Sequence, residues 1–561
     1  MGNKELTHFD ALIIGSGAGG GAAAEVLTRN GLKVLVLEAG PNYFSGLDDP
    51  DPKKMSTEFS NDDLKIKRYF IHQDPVVEPR VFRIAGQSKN HHIGMVNNLP
   101  KAVGGGMLAS DAKMPRFLPW DFELGTRLKE IPGASFADWP LCYDELEPFY
   151  TFIEKTVGVQ GESNSSPFDP PRSEPFPMPP GALMYSSEVI AKGASKLGYH
   201  PFPYPSAVNS REYDGRESCV YCGYCSNQVC PTGSKGSPAV TTLRHALLTG
   251  NCQLLPETKV VKLLHKGRNE VTGVQAIDAD GSLVTYTADR YILAASPIES
   301  TRLLFLSDRH GPGLGNSSGM VGRNLMFHFQ TEAVGVFDIR LHSHRGRVVD
   351  MGILDFRGYP GDPNRPLGGI IEFAGTGLPL REAQNYVRDM GMTGSILTEF
   401  LRQSPFRDRL AALEMQGEDA PQLTNTVELD PHVKDSDGIP VPRINYASHK
   451  FELSASAFYA PKMVDILIAA GAKHVFSSPP HTVPTSRHIL GTMRFGPDPK
   501  TSVCDRSGRF HDVDNLYVVD GSLFPTGSGV NPLLTIEAVA ARCAAAIVNP
   551  QSPEQAIRKQ V

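Results

Sequence analysis

Two groups of residues in this chain have types and spacings suited to chemistry. The first is Gly15, Gly17 and Gly20, with Glu38 further on. The glycines read G-x-G-x-x-G between an apolar run, "ALIIG", and a run of helix formers, "GAAAEVLTRNG". In such a pattern Gly15 permits a tight turn, Gly17 lets backbone approach a pyrophosphate, and Gly20 lets helix pack on strand. The helix N-terminus then offers partial positive charge to phosphate. Glu38 follows Gly15 by 23 residues, where its carboxylate can take a ribose hydroxyl. The second group is Cys219, Cys222, Cys225 and Cys230, which holds half of the eight cysteines. Its spacing, C-x2-C-x2-C-x4-C-P, is one residue longer in the last gap than the ferredoxin run. Three readings stay open for it: an iron–sulfur cluster, a zinc site, or a tight loop without metal.

The glycine run needs a strand, a turn, a helix and a second strand. "DALIIGSGAGGGAAAEVLTRNGLKVLVLEAG" supplies these in order, as one βαβ unit. "NLYVVDGSLFPT", near the other end of the chain, reads as a buried strand that ends in Asp520. A carboxylate there can hold a ribityl chain or a pyrophosphate water. A cofactor gripped by both chain ends is long and resident, which points to FAD over NAD. Between the ends, Pro41 to about Gln160 reads as mostly irregular, with "DWPLCYDELEPFYTFIEKTVGV" as a helix. "SSPFDPPRSEPFPMPPG" reads as an extended surface connector. "TTLRHALLTG" and "KFELSASAFYAPKMVDILIAAG" read as helices, and "DADG" as a hairpin turn. Cys142, Cys252, Cys504 and Cys543 are scattered and need only be small core residues.

The chain has 561 residues, too many for one ordinary core, so two lobes are expected. With 40% hydrophobic and 21% charged residues it has the composition of a globular protein. The net charge is −6 with no basic run, which argues against nucleic acid as a partner. No apolar stretch approaches the ~18 residues of a membrane helix, so an integral membrane protein is not expected. "MGNKELTHFD" leads straight into a strand, with no signal peptide. The expected location is the cytoplasm, with export on a partner subunit's signal as the alternative. No C-x-x-C-H is present, so a haem relay would belong to a partner.

The βαβ unit with "EAGP", then "VGGGM" at 103–107, "YILAASPIESTRLLFLS", "VGRNLM" at 321–326, "HILGTMRFG" and "NLYVVDGSLFPTGSGVNPLLTI" follow one another in the order of a known family. In these pieces the chain resembles the glucose–methanol–choline (GMC) oxidoreductases. "DWPLCYDELEPFY", "FPMPP" and "NSREYDGRE" look most like the catalytic subunits of bacterial FAD-dependent sugar dehydrogenases. The resemblance implies an α/β fold: a doubly wound Rossmann-type FAD domain, and a substrate domain with a large mixed or antiparallel sheet. Its segments would alternate along the chain. FAD-binding parts are expected at 1–45, at 216–330 with the cysteine loop, and at 485–552 with the catalytic pair. Substrate-domain and cofactor-covering segments are expected at 46–215, the rest of the substrate domain at 331–484, and a tail at 553–561.

The resemblance further implies oxidation of an alcohol or sugar hydroxyl, with hydride passing to flavin N5. His488 falls where the family has its base, and Asn531 where it has a second His or an Asn. Asn531 would then position the substrate oxygen. Gly105, in "VGGGM", falls in a cofactor-binding segment. His328, in "LMFHFQ", is a candidate pocket residue left outside the catalytic pair, and next in line should His488 prove not to be the base. Where sugar-oxidising relatives often carry a His–Trp pair, this chain has Ala109 and Ser110. No imidazole is there to bond the flavin, so FAD is expected to be non-covalent. For the cysteine loop, related sugar dehydrogenases carry a three-iron cluster, and other members a similar loop without metal. The reading taken is a structural turn beside the FAD domain, with the cluster on Cys219, Cys222, Cys225 and Cys230 as the alternative. The expected activity is that of a dehydrogenase on a small alcohol or sugar, passing electrons to an acceptor or a small partner subunit. Its rivals are an oxygen-using oxidase and a flavin-bearing lyase with no net redox.

Overall fold

The structure is a computed structural model that describes residues 8–44, 77–92, 100–128, 130–223, 225, 229–359, 362, 365–375, 387, 391–403, 408–477 and 486–558. Much of the stretch read as irregular, at 45–76 and 93–99, lies outside the described residues.

The N-terminal unit forms as its pattern dictates. β1 (Ala11–Ile14) and β2 (Val34–Leu37) are buried at every position, so each can only be an interior strand. α1 (Ala18–Arg29) joins them, and β1 and β2 pair in parallel. The parallel sheet has five strands, in the order Leu516–Val518, Arg290–Leu293, β1, β2, Cys252–Leu255. The chain crosses from one side of β1 to the other, so the crevice at the β1 carboxyl end is a topological switch point, where such folds bind ligands. The sheet draws strands from near both ends of the chain, which places Asp520 beside the glycine turn.

Two six-stranded sheets make the second layer system. One runs Leu490–Thr492, Arg323–Met326, Thr426–Lys434, Pro440–Tyr446, Val81–Ile84, Asn90–His92. The other runs His474–Ser477, Phe329–Val336, Leu410–Gly417, Gly369–Ala374, Val349–Ile353, Phe202–Pro203. Only two residues, Phe327 and His328, separate the strand Arg323–Met326 from the strand Phe329–Val336. His328 therefore sits where the chain passes from one sheet to the other. The helix Lys450–Ala469 packs over the second sheet through Tyr459, Met463, Ile466 and Leu467. Among the described residues there is also a three-stranded antiparallel sheet, with the "DADG" turn joining Glu270–Ile277 to Leu283–Tyr286.

The other predicted helices form at Tyr143–Val157 and Thr242–Leu248. Cys504 and Cys543 are buried core residues. Cys142 departs from that expectation: it is exposed, because it occupies the N-cap of Tyr143–Val157, where the chain turns out of the helix. Among the described residues no helix is long and apolar enough to cross a membrane.

Candidate active site

The glycine turn is built for close approach. Gly15 has φ +103°, and a Cβ there would stand 2.5 Å from the Ala294 carbonyl oxygen. A Cβ at Gly20 would meet the Gly15 carbonyl at 2.0 Å, so the helix seats directly on its own turn. Gly17 caps α1 with no side-chain hydrogen bond and no acid in the first turn, which leaves the helix N-terminus open to an anion. Gly105 (φ +57°) faces it, and a Cβ there would lie 2.7 Å from Gly17 Cα. The two glycine loops thus form a cradle that side chains would fill.

Glu38 closes the cradle's far side. Its carboxylate accepts from Ser16 N (3.0 Å), Ser16 Oγ (2.6 Å) and Gly40 N (2.9 Å). Burial raises its pKa, against those three bonds, which lower it. Asp520 accepts from Ser522 N (2.9 Å) and Ser300 Oγ (2.9 Å), and burial raises its pKa too. These residues fit FAD: an open helix N-terminus for the pyrophosphate, two buried acids beside the glycine turn, and glycines where contact is closest. Gly15, Gly17, Gly20, Gly105, Glu38 and Asp520 would hold it.

The predicted base, His488, has a partner that the sequence did not give. His328 Nδ1 and His488 Nδ1 stand 2.8 Å apart. The same His328 ring places Nε2 3.1 Å from the Gly527 carbonyl oxygen. A carbonyl can only accept, so His328 carries its proton on Nε2. Burial drives the His328 pKa down to about 4, so the ring is neutral near pH 7 and its Nδ1 is bare. His488 must then donate from Nδ1, which leaves His488 Nε2 with a free lone pair. Burial also holds the His488 pKa well below 6.5, and the Lys113 charge adds to the effect. Both rings are neutral near pH 7, and their tautomers are fixed.

Asn531 is held as firmly. Its Oδ1 accepts from Tyr204 Oη, and its Nδ2 donates to Glu372 Oε1 at 2.9 Å. Tyr204 is kept protonated, since burial and then the Glu372 charge raise its pKa. The phenol therefore donates, which fixes which end of the amide faces Glu372. One Nδ2 hydrogen remains for a substrate oxygen. Glu372 also pairs with Lys113. Burial alone would lower the Lys113 pKa, but Glu372, Asp111 and Glu414 together raise it, so Lys113 stays charged. Lys113 thereby connects the two predicted residues: it pairs with the carboxylate that orients Asn531, and its charge reaches His488.

The loop that carries Asn531 is tied down along its length. Gly527 N donates to Glu418 (3.1 Å), and Ser528 Oγ to Asp121 (2.7 Å). Ser528 has φ +60°, a left-handed conformation that a serine adopts only when its surroundings impose it. A Cβ on Gly529 would meet the Gly368 carbonyl at 2.4 Å, so this glycine serves contact with the neighbouring strand. The helix Leu533–Val548 starts right after, with no side-chain cap and no acid in its first turn.

The cysteine loop lies beside this assembly. Lys235 Nζ donates to Cys225 O (2.8 Å), Leu108 O (2.9 Å) and Ser110 O (2.7 Å), joining the loop to the segment after Gly105. Burial pushes the Cys225 thiol up to about 12. Among the described residues no three of the four sulfurs lie within 4.8 Å of one another. Ala109 is buried in the turn Gly105–Ala109.

The structure thus brings together a Rossmann cradle suited to FAD, a buried pair of imidazoles and a held amide. Two family models described as GMC oxidoreductase match residues 181–330 and 421–540, and one described as an NAD(P)-binding Rossmann-like domain matches 13–47. The chain is similar to the 2-methyl-1,2-propanediol dehydrogenase of Mycolicibacterium austroafricanum, with 30% identity over 95% of this chain and 94% of that one. It is similar to the fructose dehydrogenase large subunit of Gluconobacter japonicus, with 29% identity over 98% of this chain and 99% of that one. Among solved structures, pyridoxine 4-oxidase from Mesorbium loti shares the fold, with TM-score 0.63 and 16% identity over 96% of this chain and 98% of that one. The chain belongs to the GMC oxidoreductase family.

Proposed function

We propose that this protein oxidises a hydroxyl of a sugar, glycoside or polyol to a carbonyl. The observation that carries the reading is the His328–His488 contact, which leaves His488 Nε2 as a bare, neutral acceptor of a hydroxyl proton. Asn531 Nδ2 positions the substrate oxygen, with Tyr204 and Glu372 fixing the amide. Charged and polar groups around it (Lys113, Glu372, Glu414, Gln416) suit a substrate with several hydroxyls better than a simple apolar alcohol. FAD, when bound, supplies the acceptor for the hydride that leaves the carbon. With Ala109 where a linking His would stand, FAD is held without a covalent bond, so acid precipitation should release it from the chain.

The cysteine loop, in this reading, is a structural turn whose role is to be clasped by Lys235 against the segment 108–110. Electrons then leave the flavin directly for an acceptor or partner subunit, as the similarity to a dehydrogenase large subunit supports. An anaerobic screen of sugars, glycosides and polyols, read by loss of flavin absorbance, tests the proposal. Bleaching by hydroxylated compounds supports it, and a flavin that no such compound bleaches contradicts it.

A further inference from the structure

One face of the second six-stranded sheet carries a row of acids. In "FQTEAVGV", "LAALEMQG" and "GIIEFA" alternate residues enter the apolar core under the helix Lys450–Ala469, as Ala333, Leu413 and Ile371 do. The residues between them point the other way. Register then sets Glu332 opposite Glu414, and Glu414 opposite Glu372. Like charges directly opposite in a sheet repel, and of two buried carboxyls side by side one keeps its proton. The Glu372 side chain is fully buried.

The row ends at Gly352, which pairs with Glu372 on the next strand. A Cβ at Gly352 would stand 2.8 Å from the Tyr204 ring, so the bare glycine makes room for the phenol that holds Asn531. The segment after the Gly105 turn runs beside Tyr204. Met114 N donates to Pro205 O (2.9 Å) and Ala207 N to Ala112 O (2.8 Å), with Lys113 opposite Ser206. Backbone bonds thus fix Lys113 and Tyr204 relative to each other. Lys113 pairs with Glu372, and Tyr204 Oη stands 3.4 Å from it.

Which acid of the row is charged decides what Asn531 meets. A carboxylate only accepts, so a charged Glu372 takes Nδ2–H and leaves Oδ1 to Tyr204. A protonated Glu372 can donate to Oδ1 instead, and the amide is then free to turn over. The charged and titratable groups around Glu372 and Glu414 are Lys113, Asp111, Tyr204 and Glu332. Of these Lys113 is the cation. It pairs with Glu372 and stands 3.3 Å from Asp111. Burial and then the Glu372 charge push Glu414 up to about 8, so Glu414 holds its proton near pH 7 while its Oε1 accepts from Gln330 and Gln416.

We propose that Lys113 is a positioning residue for the oxidation: it makes Glu372, and not Glu414, the charged acid of the row, and so fixes the Asn531 amide toward the substrate oxygen. The proposal rests on the hydroxyl-oxidising reading given above.

The test compares wild type, Lys113→Met, Glu414→Gln and the double variant as holoenzymes. Each is followed by anaerobic stopped-flow bleaching with the best hydroxylated substrate, and by thermal unfolding. Lys113→Met should slow flavin reduction about tenfold in the wild-type background, within what a misplaced group costs. In the Glu414→Gln background, where Glu372 has no acid opposite it, the same change should cost less than about threefold. The unfolding midpoints should show coupling of the same sign. Reduction at wild-type speed in Lys113→Met overturns the proposal. So does an equal rate loss in both backgrounds, since lost packing at Lys113 is indifferent to the charge at 414. Coupled midpoints with uncoupled rates confine Lys113 to stability and also overturn it. Coupled midpoints in a protein whose flavin no hydroxylated compound bleaches overturn the oxidation reading, and the positioning role with it.

Discussion

The tautomer argument predicts a specific pattern at position 328. In His328→Leu, His488 Nδ1–H loses its His328 acceptor, and the proton is free to move to Nε2, the atom that must be bare. A net hydrogen bond is worth about 1 kcal/mol, so the loss of tautomer bias alone costs about fivefold. The His488 ring also loses its orientation, and misplacement of a catalytic group can cost up to about a hundredfold. The reductive half-reaction of His328→Leu should therefore slow by about 10–100-fold. His328→Gln separates this from simple damage. Its amide oxygen can accept from His488 Nδ1–H while its NH₂ donates to the Gly527 carbonyl, the same donor–acceptor order as the neutral imidazole. It should recover most of the rate. The assay is anaerobic stopped-flow bleaching of the flavin at saturating substrate, with bound FAD measured first in each variant. A His328→Leu chain that reduces at wild-type speed refutes the reasoning. So does a Gln variant as slow as Leu with FAD content intact.

Further outcomes follow from the same geometry. Asn531→Ala should slow flavin reduction by less than His488→Ala does. Tyr204→Phe, which removes the donor to Asn531 Oδ1, should slow it by about three- to tenfold, the scale of one hydrogen bond; equal rates in wild type and Tyr204→Phe would count against a fixed amide. The His488 pKa is depressed, so its base form persists as pH falls through 6.5, and the rate is lost only at more acidic pH. A reductive rate that halves near pH 6.5 through protonation of His488 would contradict that. Protein prepared without air should contain flavin but no stoichiometric iron or acid-labile sulfide; about three or four irons per chain, the content of common small clusters, would overturn the structural-turn reading of Cys219–Cys230.

The parts of this molecule that sequence exposes are those whose physics is local. β1, α1 and β2 are legible because two four-residue apolar strands and a glycine turn sit within one continuous stretch. His488 and Asn531 are picked out as candidates by runs such as "HILGTMRFG" and "GVNPLLT", each a short segment around the residue. The residues that tune them were not. Lys113 follows the Gly105 turn, Tyr204 follows a two-residue edge strand, and Glu372 lies within Gly369–Ala374. No spacing in the chain announces that three sheet and turn positions so far apart converge on one amide. His328 had one local sign, a histidine amid the apolar "LMFHFQ", but burial alone does not reveal a catalytic partner. Cys142 shows the opposite error: a scattered cysteine reads as a small core residue, while its N-cap position before Tyr143 leaves it exposed.

The central claim is that His488 takes a hydroxyl proton as the substrate carbon is oxidised. The most direct measurement compares wild-type and His488→Ala holoenzyme in anaerobic stopped flow, with the best hydroxylated substrate found by screening. The account predicts rapid bleaching in the wild type and a loss of about 10²–10⁴-fold in the variant, with FAD content and folding unchanged. Bleaching of His488→Ala at the wild-type rate would contradict it.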